Sequence, residues 1–394
     1  MELTRAELDS RRERLLVRLN EQAPDWDSCI VLSKVNQYYL TGTMADGMYI
    51  LKRDGDYSYH IRKGYQRAVA ESPLPNIYPM HSYRDAAAQV GKDLGKAYLE
   101  LDTVSYGMVE RLQKAFSMKG IANLERLILD VRAVKSPYEL YWMKEAGMAH
   151  QRTMERVPAI VFEGMSEMDL VSGLFQEMTA LGYQGITRFR SFGTEIVLGQ
   201  FGFGVSTLTP SSFDGPAGHR GYGAAAPVGG SPDVFLQKGN LVFVDMGFGK
   251  MGYHTDKTQV FYYGNSVPQE AVDAHEYCRG IQDEIAARLV PGAIPSQIYE
   301  EIMEKIPQEY RENFMGAKGN TVRFLGHGVG LHVDEMPVIA KGFDVPLVEN
   351  MTIALEPKIG LEGIGIVGVE ETYVVTPDGG QCITGGNREI IPIG

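Results

Sequence analysis

Over residues 5–21 the apolar and charged positions recur with helical spacing. Leu8, Leu15 and Leu16 fall on one side and Arg5, Arg12 and Glu13 on the other, which predicts a surface helix. The pattern then shortens. CIVLS (29–33), MYILKR (48–53) and YSYHI (57–61) are brief β-like runs separated by TGTMADG and DGD, the composition of turns. Helical spacing returns at 62–71, 84–94 and 105–118, alternating with β-like stretches such as KAYLE (96–100). Residues 1–125 therefore read as an α/β domain.

From 126 to 394 the elements group differently. ILDVRAVKSPYELYWMKEAG (128–147) feeds a long helix, with Ser136 as its cap, Pro137 in its first position and Glu139 as the capping-box acid. Ser166 and Asp169 form a second such box. Further helices are predicted over 268–289 and within PGAIPSQIYEEIMEKI. The strands come in pairs: LVFVDMG with YHTDKTQVFYYG across FGKMG, and MTIALEP with GVEETYVV across a glycine-rich excursion. Helices in one stretch and hairpins in another predict an α+β domain, not a doubly wound sheet.

The totals narrow the function classes. A chain of 394 residues fits two domains, and 44% hydrophobic with 22% charged residues is the balance of a globular protein. Its 50 acidic against 38 basic residues leave a formal charge of -12, with no Lys/Arg-dense stripe, so a general nucleic-acid partner is not expected. The polar N-terminus and the lack of a long apolar run predict a cytoplasmic location and no membrane partner. Cys29, Cys278 and Cys382 are too few and too scattered for a disulfide framework or a thiolate metal site. GHGVGL and QFGFGV lack the setting of a dinucleotide fingerprint, so no nucleotide cofactor is expected.

The chemistry lies in the hairpins. Asp245 and Asp256 sit symmetrically about the turn at 249–252, which in a regular hairpin would set them face to face, with Cβ atoms roughly 4.5–5.5 Å apart. Two opposed carboxylates beside the apolar run LVFV repel one another unless a proton or a cation intervenes. Glu356 and Glu370 repeat the relation about Gly363, and His327 in GHGVG adds an imidazole. Four carboxylates and a histidine suit two divalent ions about 3.5–4 Å apart, with Mn, Co, Zn or Fe as the expected metals.

These motifs resemble those of the creatinase, prolidase and methionine aminopeptidase superfamily. VDMG carries Asp245, GYHTDKT carries Asp256 eleven residues later, GHGVG carries His327, ALEP carries Glu356 and VEE carries Glu370. CIVLSKVNQYYLTG resembles the N-terminal domain of prolidases and Xaa-Pro aminopeptidases. The resemblance implies a creatinase/prolidase-like α/β domain over 1–125 and a pita-bread catalytic domain over 126–394. It also implies a homodimer and a metallopeptidase that cleaves a dipeptide or short peptide before proline. In that reading Asp245 and Glu370 bridge two ions, Asp256 chelates one, and His327 with Glu356 binds the other. Glu356 accepts the proton of the attacking water.

The surroundings depart from that pattern. Val228 stands where a family histidine is expected, with His219 nine residues earlier. Asp334 stands seven residues after His327, where a second histidine is expected, and His332 lies two residues before it. In an extended segment His332 and Asp334 would share a side, so the two are candidates for binding substrate or relaying a proton, and His219 for supporting them. Gln259 and Gly368 occupy positions where the family often carries arginine. These departures keep a second expectation open, a metal-dependent amidase or small-molecule hydrolase. A third is a noncatalytic peptide-binding protein.

Overall fold

The computed structural model describes residues 1–191, 193–196 and 198–394, and the chain divides into two compact units, Met1–Arg132 and Ala133–Gly394. The first unit runs α1 (Arg5–Gln22), β1 (Ser28–Val31), α2 (Lys34–Thr41), β2 (Asp46–Lys52), β3 (Tyr57–Lys63), α3 (Tyr65–Glu71), β4 (Ile77–Pro79), α4 (Tyr83–Val90), β5 (Lys96–Leu99), α5 (Tyr106–Gln113), β6 (Gly120–Asn123) and α6 (Glu125–Ala133). Its strands form one mixed sheet in the order β4-β3-β2-β1-β5-β6. Ile30, Met48, Ile50, Ala97 and Leu99 pack with Leu112 and Phe116. Cys29, Val31, Tyr49 and Leu51 are buried as well, so both faces of the central strands are covered. That explains why these strands read as continuous apolar runs and not as alternating ones.

Two boundaries differ from the sequence expectation, and one helix lies where the pattern predicted no element. Arg62 and Lys63 belong to β3, and Gly64 separates them from α3. The helix α2 interrupts its apolar pattern with Asn36 and Gln37, which are buried and satisfied by partners outside the helix. Asn36 donates to Glu100 Oε1 at 2.6 Å, and Gln37 donates to the carbonyls of Leu32 and Gly47 at 2.9 Å. The other boundary follows α6, which keeps the chain in the first unit as far as Arg132, whose Nη1 donates to Asn36 Oδ1 at 2.6 Å.

The second unit runs α7 (Pro137–Ile160), α8 (Glu167–Ala180), β7 (Gly199–Phe203), β8 (Leu241–Lys250), β9 (Tyr253–Tyr263), α9 (Gln269–Ala287), α10 (Pro295–Lys305), β10 (Gly316–Ala317), β11 (Asn320–Thr321), β12 (Phe324–Gly328), β13 (Glu335–Ala340), β14 (Thr352–Leu355), β15 (Lys358–Leu361), β16 (Gly365–Gly368), β17 (Glu371–Thr376), β18 (Gly379–Cys382) and β19 (Ile391–Ile393). Both capping boxes form, at Ser136–Glu139 and Ser166–Asp169. The sheets are β19-β9-β8-β7, β13-β12-β14-β17-β18 and β11-β10-β15-β16. Strand β8 is buried on both sides. Val242, Val244, Met246 and Phe248 join one core with residues of α7 and α8, whereas Leu241 and Phe243 join another with residues of α9 and α10. Asp245 continues the Leu241–Phe243 side, so a carboxylate emerges where that apolar face ends. No helix of the described residues is long and apolar enough to cross a membrane.

Candidate metal centre

The β8–β9 hairpin closes through Met251 and Gly252, with φ of 52° and 89°. Two adjacent left-handed residues make a two-residue loop with the twist that a hairpin favours. This moves the centre of the hairpin toward its C-terminal strand. Asp245 lies opposite Thr258, and Asp256 opposite Gly247. The aspartates are therefore diagonal neighbours on one face, at the roughly 7–8 Å of such pairs, and not directly opposed as the sequence symmetry suggested. Glu370 comes in beside this face: its carbonyl accepts from the Thr258 N–H at 3.2 Å, and its Oε2 accepts from Thr258 Oγ1 at 2.9 Å.

Glu356 and Glu370 face one another as the spacing about Gly363 predicts. Strands β14 and β17 pair Leu355 with Glu371, and β15 with β16 pair Lys358 with Gly368. Both ladders share one register, which sets Glu356 against Glu370 in the gap between them. His327 on β12 lies beside Ala354 of β14. Its Nε2 is 3.2 Å from Glu356 Oε1 and 4.0 Å from both Asp256 Oδ2 and Glu370 Oε1.

All five expected ligands thus meet in one place, as two groups of convergent donor atoms: Asp256, His327 and Glu370, and Asp245, Glu356 and Glu370. Glu370 belongs to both groups and Asp245 to one. The first group fits a divalent cation, because Glu370 Oε1 is sealed from solvent and lacks a hydrogen-bond partner. A buried carboxylate oxygen with no donor is costly unless something positive reaches it.

The second group holds a side chain that the sequence reading did not single out. Lys358 Nζ lies 2.9 Å from Asp245 Oδ2, Glu356 Oε2 and Glu370 Oε2. The available signal was its place two residues after Glu356 in an otherwise apolar run, where strand period 2 returns it to the same face.

The charges respond to this crowding. Burial, then the neighbouring Asp245, pushes Asp256 up to about 7. Burial also raises Asp245, and raises Glu370 well above the usual carboxylate range with Asp256 and Glu356 adding to it. Glu356 goes the other way: burial opposes its charge, but Lys358 and His327 outweigh that and hold it at about 2. His327 rises to about 9, the Glu356 carboxylate overcoming the effect of burial.

A cavity of about 580 Å³ opens onto the cluster, lined among others by Asp245, Asp256, His327, Glu356, Glu370 and Asp334. His332 is not among its lining residues. Residues 331–334 form a series of bends, so the extended geometry expected for His332 and Asp334 is not adopted. The His332 N–H donates to Glu335 Oε1 at 2.8 Å, and the Asp334 carboxylate accepts from the N–H groups of Arg190 and Ser191 at 2.5 and 3.3 Å. Asp334 thereby ties a neighbouring loop to the cavity rim.

His219 is buried, with Nδ1 3.3 Å from Gln200 Nε2 and Nε2 unpartnered. Gln200 and Phe213 line the cavity, whereas His219 and Val228 do not. Gln259 donates to the Glu389 carbonyl at 2.7 Å.

A model for metallopeptidase family M24 matches residues 141–377, and one for the creatinase/prolidase N-terminal domain matches residues 11–134. The chain belongs to metallopeptidase family M24. Among curated relatives, the Xaa-Pro dipeptidase of Pyrococcus furiosus is 26% identical over 98% of this chain and 100% of that protein. Among solved structures, the prolidase from Pyrococcus horikoshii aligns with a TM-score of 0.80 at 21% identity, covering 97% of this chain and all of that one. Dipeptidase PepE from Mycobacterium ulcerans aligns at 0.80 and 22% identity over the whole of both chains. These structures share the fold, an α/β domain followed by a pita-bread-like domain.

Proposed function

We propose that this M24 protein is a metal-dependent hydrolase of short peptides, dipeptides foremost. The observation that carries the reading is the open acceptor Glu370 Oε1, which converges with Asp256 and His327 on the cavity wall. A divalent cation held there supplies Lewis-acid polarisation of a carbonyl and acidifies water. An oxygen-rich donor set with one imidazole suits Mn, Co, Zn or Fe. Cation binding requires neutral His327, and Glu356, beside His327 on the cavity lining, is the proton acceptor of this reading.

The remaining walls suit a small substrate. Phe189, Phe213 and Phe343 offer apolar surface, and Arg190, Arg323 and Lys341 offer positive charge to the carboxylate end of a peptide. The names of the relatives, two dipeptidases and a prolidase, support a short substrate, with Xaa-Pro as its specific form. One observation favours a second reading, hydrolysis of another small amide. Among the described residues, His327 is the only histidine lining the cavity, so the usual substrate-facing histidines have no counterpart there.

A screen of metal-loaded protein against Xaa-Pro dipeptides, other dipeptides and nonpeptide amides separates the two. Turnover confined to nonpeptide amides would sink the peptidase reading. A homodimer is part of the proposal, and a strict monomer in sedimentation at all concentrations would remove it.

A further inference from the structure

Three of the four carboxylates in the centre converge on a cationic group that the chain itself provides. An ammonium has three N–H donors and no acceptor, and Asp245, Glu356 and Glu370 accept from Lys358 Nζ at 2.9 Å each. The side chain is 0% exposed, and Nζ lies 5.9 Å from the centre of the Phe243 ring. Its stem runs along Gly368, its partner across β15 and β16. A Cβ at position 368 would fall 2.4 Å from the Pro357 carbonyl oxygen, 2.6 Å from Lys358 Cα and 2.8 Å from its Cγ, and the glycine has φ of +141°. Position 368 is therefore bare where the lysine stem lies, and Lys358 is enclosed by strand, ring and carboxylates.

The two ligand groups consequently differ. A divalent cation in the second group would sit about 2.0–2.2 Å from its oxygens, inside the volume that Nζ fills. In the first group, Glu370 Oε1 points away from Lys358 toward His327 and Asp256 and has no donor.

We infer that the Lys358 ammonium is the resident cation of the second group and that the protein binds a single divalent ion, at Asp256, His327 and Glu370. The inference rests on the metal-dependent reading above and sharpens it. The lysine takes over the charge neutralisation that a second ion would provide, while the open ligands keep one ion on the cavity wall.

The test counts ions. Full-length protein stripped of metal and dialysed against excess Mn²⁺ is expected to hold one equivalent per chain by elemental analysis, with the EPR spectrum of an isolated ion. Lys358→Ala is expected to hold two, with the spectrum of a magnetically coupled pair. His327→Ala is expected to lose the single equivalent. Two coupled ions in the wild-type protein would overturn the inference while leaving a metal-dependent hydrolase in place. No bound ion at any Mn²⁺ concentration would overturn both. Should Lys358→Ala fail to fold, the wild-type count and spectrum decide the matter alone. Full Mn²⁺ retention by His327→Ala at wild-type affinity would overturn the assigned location.

Discussion

Glu100 in the first unit and Glu370 in the second are both sealed from solvent, yet their surroundings complete only one of them. Glu100 Oε2 accepts from the N–H groups of Leu32 and Ser33 at 2.6 and 2.8 Å, and its Oε1 accepts from Asn36 Nδ2 at 2.6 Å. Burial raises its pKa, and those donors work against the rise. Glu370 has Lys358 and Thr258 on Oε2 but no donor on Oε1, and two further carboxylates, Asp256 and Glu356, press on it. The first carboxylate fixes a loop to a helix. The second is left short of positive charge, which is what a ligand for an exchangeable cation requires.

The largest expected contrast is between substitutions at these two positions. Glu370→Gln should lower metal affinity and turnover by more than about 10²-fold. It should cost the metal-free protein less stability than Glu100→Gln does, since Oε1 has no donor to lose and Lys358 keeps Asp245 and Glu356. Glu100→Gln should cost about 2–3 kcal/mol of stability, because an amide cannot accept all three donors, and should leave metal content unchanged. Elemental analysis beside denaturant titration checks both. Equal stability losses with intact metal content would erase the distinction.

A smaller effect follows from Asp256, held near 7 without metal. Protons on Asp256 compete with the cation below that value and the His327 proton below about 9, so apparent affinity should fall by up to about tenfold per pH unit for each proton displaced. Calorimetric titrations across neutrality read this directly, and a flat profile would contradict it. The same raised value fixes a stability sign for the metal-free protein. The Asp256 contribution is full below its ordinary 3.8 and is lost as pH rises through about 7.

In the first unit His60 runs the opposite way. Burial lowers it from 6.5 to about 4, so its contribution is full above 6.5 and lost as pH falls through about 4. His60→Gln should flatten part of the acid-side loss in thermal melts, with no change in metal binding. An unaltered acid limb would contradict that role.

The smallest effect is expected at His332. It lies off the cavity lining, so His332→Ala should lower kcat/KM by less than the roughly 10²-fold typical of a proton-transfer group. A larger loss with metal retained would return the residue to the reaction.

Much of the centre was legible in the sequence because its signals are local. Two-residue periodicity puts Asp245 at the end of an apolar face, the spacing about Gly363 sets Glu356 against Glu370, and the capping boxes start α7 and α8 where Ser136 and Ser166 stand. The resemblance carried by VDMG, GYHTDKT, GHGVG, ALEP and VEE identified the family and its two-domain fold. Tertiary structure decided the rest. The loop at Met251–Gly252 turned an apparent opposition of Asp245 and Asp256 into a diagonal, since one residue of shift at a hairpin tip moves every pairing along it. The bends at 331–334 kept Asp334 on the cavity rim and His332 away from it. The spacing of Lys358 from Glu356 put the two on one face, but Asp245 and Glu370 come from separate stretches, and only packing decides whether a lysine there faces water or a ring of carboxylates.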